Sequence, residues 1–477
     1  MHRSSVFATF FLLTALFFIG CEKDTTSVGT QPIDYGNITT IDYTKHVQPL
    51  LNDYAEMMQD AGVYPTGLQM DSWSNLIKGW EHGEVIIPFD ADNSLLVEIS
   101  TKLSNFNGLD SVKVAFLKRW INEGAKNAAG NVPYSDATNL LYACDQGEAL
   151  VSIIDADHLV VIRNIDLTDY GYPRSAKPHH LAFSPDGLYW FVSCIDNQVN
   201  KVLKFSVADN QLMGEFSTPI PALLDHHPTE DVLYISRFMD LQNPQNAIAA
   251  ANSQTMQGAD GSTGTILLPP SLFIPHAMKI NHAGTYVYTA SFAEDMFLVV
   301  SNSTREFVGA VSLGNDRTPL QVAVTPDDSK AFVACIGTGE IVVMDVSDPE
   351  NSTVETAVSV GGAPWHGVFN ADGSKFYIGN LMMNKFHVIN TADYSVQTFG
   401  AGNGSDGLVE LHGAEIHPDG SRVFFSGRNT TGNYTPAYDF GDNSKSGTVV
   451  AINTADNSIE KVIEIENFGS GLRMLSR

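Results

Sequence analysis

The chain is poor in cysteine and in positive charge. Only four cysteines occur in 477 residues; three of them, Cys144, Cys194 and Cys335, lie in the body of the sequence, and no C-x-x-C spacing occurs. The odd number argues against a disulfide framework, and the missing spacing excludes covalent haem attachment through C-x-x-C-H. Lys and Arg number 27 against 54 Asp and Glu, a formal charge of −27, which argues against nucleic acid as a partner. The acids are scattered, as on a solvated surface. No G-x-S-x-G, H-E-x-x-H, P-loop or dinucleotide-binding pattern falls in a fitting context. Beyond residue 21 no apolar run approaches the roughly eighteen residues of a membrane-spanning helix.

One apolar run does stand out. Arg3 precedes Val6 to Gly20, and Cys21 follows directly. A basic residue, a short apolar stretch and a small residue at the junction predict a cleavable signal over residues 1–20. The junction Phe18-Ile19-Gly20-Cys21 resembles a bacterial lipobox, which implies lipidation at Cys21 and a mature chain held to the membrane by lipid. Glu22-Lys23-Asp24 is similar to the acidic sorting signals of surface lipoproteins. The resemblance implies a cell-envelope protein anchored to the outer membrane and exposed at the surface; an ordinary signal peptide with a chance cysteine is the alternative.

Residues 21–37 are polar and lack hydrophobic period, as expected of a flexible tether. Residues 38–130 read as helical. His46-Val47-Gln48-Pro49-Leu50-Leu51 opens one amphipathic segment, and Val114, Phe116, Leu117, Trp120 and Ile121 mark another that stops at Gly124-Ala125. Between them lies Ile86-Ile87-Pro88 through Ser94-Leu95-Leu96. This order resembles the small cytochrome c domains found beside envelope enzymes. Where such a domain carries C-x-x-C-H, this chain has Asn52-Asp53-Tyr54-Ala55-Glu56-Met57-Met58, so the fold is expected without covalent haem. A noncovalent haem on His46 or Met58 is the alternative.

The remainder, residues 136–477, repeats itself. Pro178-His179-His180 to Pro185-Asp186-Gly187 matches Pro275-His276 to Ala283-Gly284, Pro319 to Asp328, Pro364-Trp365-His366 to Asp372-Gly373, and Leu411-His412 to Asp419-Gly420, with a weaker copy at Pro221 to Glu230. Aromatic and then Val-rich strands follow most copies. A period of about 40–55 residues of short strands is that of a propeller blade. The repeats resemble the YVTN-type β-propeller family, and six blades start at 178, 221, 275, 319, 364 and 411. Three unattached strands in residues 139–167 and one at Gly471 to Leu475 make a seventh when joined, which closes the ring without exposed edges. The expected fold is mostly β: a seven-bladed β-propeller preceded by a small all-α cytochrome c-like domain.

In a propeller the first strand of each blade lines the central channel. His179, His276 and His412 share one repeat position, and His180 and His366 sit one later, so all five are expected around one channel mouth. Imidazoles converging from separate strands are metal ligands by type, copper being the favoured ion for a nitrogen-rich site. A funnel for an organic or anionic ligand, or a purely structural role, fits the same pattern. Cys144, Cys194 and Cys335 end equivalent strands and either complete a soft-metal site or pack between blades. Two insertions, Phe238 to Gln245 and Asn429 to Ser446 with Tyr434, Tyr438 and Phe440, are expected at the same mouth. His227 and His417 belong to the opposite face.

The expected function is binding of a metal ion or small ligand by a membrane-anchored propeller. The alternatives are a periplasmic redox enzyme or electron-transfer component related to propeller oxidoreductases, and a non-catalytic platform for a protein partner. Nitrous oxide reductases, with copper on a seven-bladed propeller, are similar in their "P-H" strand starts, but this chain lacks their C-terminal cupredoxin domain. Haem nitrite reductase is the other oxidoreductase of this kind.

Overall fold

The computed structural model of the protein describes residues 32–102, 106–238, 246–272, 274–438 and 446–477. The signal region and Cys21 lie outside the described residues, as does Phe440.

Seven sheets form the propeller. In blades one to six the inner strand leads in sequence, as in blade one, where Pro178–Phe183 pairs with Tyr189–Cys194, then Lys201–Ser206 and Leu212–Ser217. The seventh sheet joins both ends of the domain: the C-terminal strand Gly469–Ser476 is its inner strand and pairs antiparallel with Asn139–Asp145. Burial follows the architecture, because the strands are covered on both faces by neighbouring blades. Tyr189–Cys194, Val232–Arg237 and Arg422–Gly427 are buried along nearly their whole length.

In blades one, five and six an Asp-Gly pair makes the turn that starts the second strand. Asp186, Asp372 and Asp419 each accept the N–H two residues on, at 3.0, 2.9 and 2.8 Å. The glycines that follow them have φ of 68°, 71° and 75°, left-handed values that favour glycine.

The N-terminal domain is a small helical unit around Tyr54, Met58, Leu96, Phe116, Leu117 and Trp120. Its longest helix, Gln48–Ala61, carries Pro49 in its first turn and ends at Gly62 with φ 71°, the expected asymmetry of helix ends. His46 precedes that helix, in the turn Tyr43–Val47, and its Nδ1 accepts the Asp42 N–H at 3.0 Å. The last helix, Ser111–Asn122, is capped by Asp110.

This domain packs on the blades that meet at the ring closure. Ile87 joins a cluster containing Leu141, Val161, Phe424 and Ile463, Glu84 accepts the Val161 N–H at 2.9 Å, and Arg163 covers the Phe89 ring at 3.9 Å. The insertion of blade six corrects one expectation. Tyr438 donates to the Val63 carbonyl at 2.8 Å, and Tyr434 lies 3.2 Å from His82 Nδ1. These aromatics hold the helical domain and do not line the channel.

Candidate functional site

Each inner strand opens with a break in register. The ladder slips between Pro178 and Leu181, between Pro364 and Gly367, and between Leu411 and Ala414, and such bulges re-aim side chains. The backbone groups freed by the slip are satisfied by side chains: Ser193 Oγ accepts the His180 N–H at 3.1 Å, Ser426 Oγ that of Gly413 at 2.8 Å, and Gln321 brackets the peptide of Gly367.

The bulges divide the histidines. His179 and His276 line a cavity of about 330 Å³ at the face where the inner strands start. His180 and His366 line a separate cavity of about 380 Å³ at the face where they end. His412 lies between, its ring 5.2 Å from that of His179 and 5.0 Å from that of His366. The five therefore do not share one mouth: adjacent strand positions point to opposite sides, and the imidazoles form a ladder through the axis. Among the described residues, no three His, Cys, Asp or Glu side chains group to hold a metal ion.

Burial keeps these imidazoles neutral. His179, His180, His366 and His412 are held well below the ordinary histidine range by desolvation, with nearby positive groups adding to it. Desolvation lowers His276 to about 4; the hydrogen bond to the Leu320 carbonyl opposes it, and Arg428 adds a lesser push downward. Their hydrogen bonds fix tautomers. His179 Nδ1 donates to Gln146 Oε1 at 2.9 Å and His276 Nδ1 to the Leu320 carbonyl at 2.6 Å, so each presents a bare Nε2. His180 is the reverse: its Nδ1 accepts the Leu224 N–H at 3.2 Å, leaving Nε2 protonated.

The start-face cavity is walled by Ile195, Leu320, Trp365, Phe238 and Phe292, and among the described residues its one charge is Arg428. Desolvation lowers that guanidinium to about 10. It stands 4.9 Å from the Trp365 ring and 4.8 Å from the Phe468 ring. Arg428 Nε, Trp365 Nε1 and both ring nitrogens of His412 are buried without a hydrogen-bond partner among the described residues, each costing about 1–3 kcal/mol unless something else satisfies it. Arg428, Gln146, Ile195, Phe238 and Phe292 all occupy one repeat position, the residue after each blade's second strand. Ile336 and Leu381 hold it in the other two blades, so the lone charge in a column that is apolar in five of its seven blades was the available signal.

Cys144 and Cys194 share one apolar cluster and Cys335 lies in another. Burial pushes the Cys144 and Cys194 thiols up and Cys335 to about 12, leaving inert packing groups. His227 donates to the Gly284 carbonyl at 2.9 Å, and His417 lines the end-face cavity.

Seven antiparallel blades around a side-chain-lined channel define a seven-bladed β-propeller. The chain belongs to the family described as lactonase, 7-bladed beta-propeller, whose model matches residues 210–470. No curated protein matches it. Among solved structures it is similar to the periplasmic gluconolactonase PpgL of Pseudomonas aeruginosa, at 14% identity and TM-score 0.55 over 71% of this chain and 99% of that one. A putative 6-phosphogluconolactonase from Bacteroides fragilis is 13% identical, with TM-score 0.54 over 72% and 100%. These likenesses establish the propeller fold.

Proposed function

We propose that the propeller binds a small organic anion, a carboxylate or hydroxy acid with an apolar body, in the start-face cavity. Arg428 carries this reading. A half-buried guanidinium with a buried Nε and no carboxylate at ion-pairing distance among the described residues favours a negative ligand group and disfavours a metal cation. The apolar walls suit the ligand's body, as in most small-molecule sites. Trp365 Nε1–H can donate to the carboxylate, and the bare Nε2 atoms of His179 and His276 can accept from a ligand hydroxyl. A lipid on Cys21 would hold this receptor at the outer membrane, with the helical domain between anchor and propeller.

A copper or zinc ion is the second reading, favoured by one observation. The Nδ1 atoms of His179 and His276 are both tied down, the arrangement that orients metal-binding imidazoles. The charge on Arg428 opposes it.

Calorimetric titration of the full chain with benzoate and gluconate, then with copper and zinc, tests both, and a hydrolysis assay on gluconolactone asks whether the family's chemistry is present. Carboxylate binding that falls at least about tenfold in Arg428→Leu supports the anion reading. Metal binding lost in His276→Ala, with no carboxylate binding, would replace it.

A further inference from the structure

We propose that the end-face cavity is a second, independent binding site, for a small zwitterion of the α-amino acid type. Its volume of about 380 Å³ lies within the usual range of about 300–1,000 Å³ for ligand sites. It shares no lining residue with the start-face cavity.

Two carboxylates and two cations surround this cavity, and they are not equally engaged. Asp225 is committed: Lys279 Nζ lies at 3.0 Å and the Ile280 N–H donates to it at 2.9 Å. Arg473 is not. Its nearest carboxylates are Asp225 at 3.7 Å and Glu415 at 3.9 Å, both beyond hydrogen-bond length. Its side chain is 37% exposed, while that of Glu415 is 13% exposed and is braced by the N–H groups of Ile416 at 3.1 Å and Met474 at 3.4 Å. A fixed carboxylate thus faces a guanidinium that makes no hydrogen bond among the described residues.

The cavity also receives a polar atom with nothing to bond. His366 is 3% exposed, lines the cavity, and its Nε2 has no partner. His180 presents Nε2–H beside it, the two rings 6.0 Å apart.

Charge balance selects the ligand class. With two positive and two negative groups in place, an ion of either sign leaves one charge uncompensated. A ligand bearing both signs fits between Arg473 and Glu415, its carboxylate toward the guanidinium and its ammonium toward Glu415. Two long contacts are then replaced by hydrogen bonds in which both partners are ionised, whereas a polyol would leave the opposite charges of Arg473 and Glu415 without ionic partners of their own.

The test is calorimetric titration of the full chain with glycine and L-alanine, beside acetate, methylammonium and D-glucose. In an Arg428→Leu background, which removes the carboxylate site proposed above, both amino acids should bind at one site and the two single-charge probes at least about tenfold more weakly. Glu415→Gln and Arg473→Met should each weaken amino-acid binding by about tenfold or more without changing carboxylate binding at Arg428. His366→Gln alters a group whose Nε2 has no hydrogen-bond partner among the described residues, so it keeps the test readable if a charge variant unfolds; it should weaken binding about threefold. Absence of amino-acid binding, tighter binding of D-glucose, or an affinity unchanged in all folded variants would overturn the proposal.

Discussion

The guanidinium of Arg428 stands 4.9 Å from the ring of Trp365, and both side chains bury nitrogens without hydrogen-bond partners. A folded chain does not gain stability from such a pair by itself. Arg428→Leu should therefore raise the stability of the unliganded protein by about 1–3 kcal/mol, by removing an unsatisfied buried cation, while weakening carboxylate binding at least about tenfold. Urea unfolding and calorimetry on the same preparation read both. A variant that is less stable and binds as well as the parent would show the arginine to be structural.

The seam between the helical domain and the ring should respond to pH. Glu466 is pushed up to about 8, first by burial and then by Glu98, Asp90 and Glu148. Its folded pKa lies above its unfolded value near 4.5, so the folded state holds the extra proton and stability falls as pH rises from about 4.5 to about 8. Glu466→Gln removes that cost. The variant should be more stable than the parent by about 1–3 kcal/mol at pH 9 and nearly equal at pH 5, measured by denaturant unfolding at each pH. An equal difference at both would mean that Glu466 does not titrate in this range.

The seven-bladed fold was legible because each blade restates one pattern, with a strand start at Pro178 or Pro364 answered by an Asp-Gly turn such as Asp186-Gly187. Histidines 179, 276 and 412 were likewise legible as equivalent positions. The second cavity, lined by His180 and His366, was not, because it depends on the register slips after Pro178 and Pro364, and a slip of pairing leaves no trace in residue type. Arg428 escaped because its interest lies in contrast with Ile195, Phe238 and Phe292 in the same column. The docking of the helical domain was hidden for another reason: Tyr438 bonds to a carbonyl 375 residues away, a contact without local pattern.

Lipid anchoring is tested at one atom. Replacing Cys21 by Ser removes the thiol that would carry the acyl chains, so the variant should move from the membrane to the soluble fraction on cell breakage. Retention on the membrane after a high-salt wash would rule out the lipid as the anchor.

Closure of the ring depends on a residue with no side chain. A Cβ on Gly471, in the inner strand of the closing blade, would lie 2.4 Å from the His179 carbonyl oxygen and 2.8 Å from the His180 Cα. Both obstacles are backbone, so they cannot swing aside as a flexible side chain would. Gly471→Ala must push the closing blade away from blade one and disturb the bulge that aims His179 and His180 at different cavities. Overpacking of this kind costs about 1–3 kcal/mol, read as a lower urea midpoint. Ligand binding at both cavities should weaken together, since each takes one of the two displaced histidines. Gly261→Ala is the control: its Cβ meets nothing within 4 Å, so its cost is confined to the left-handed turn at φ 76° and should leave binding untouched. If Gly471→Ala were no more harmful than this control, the closing strand would have room that the structure denies it.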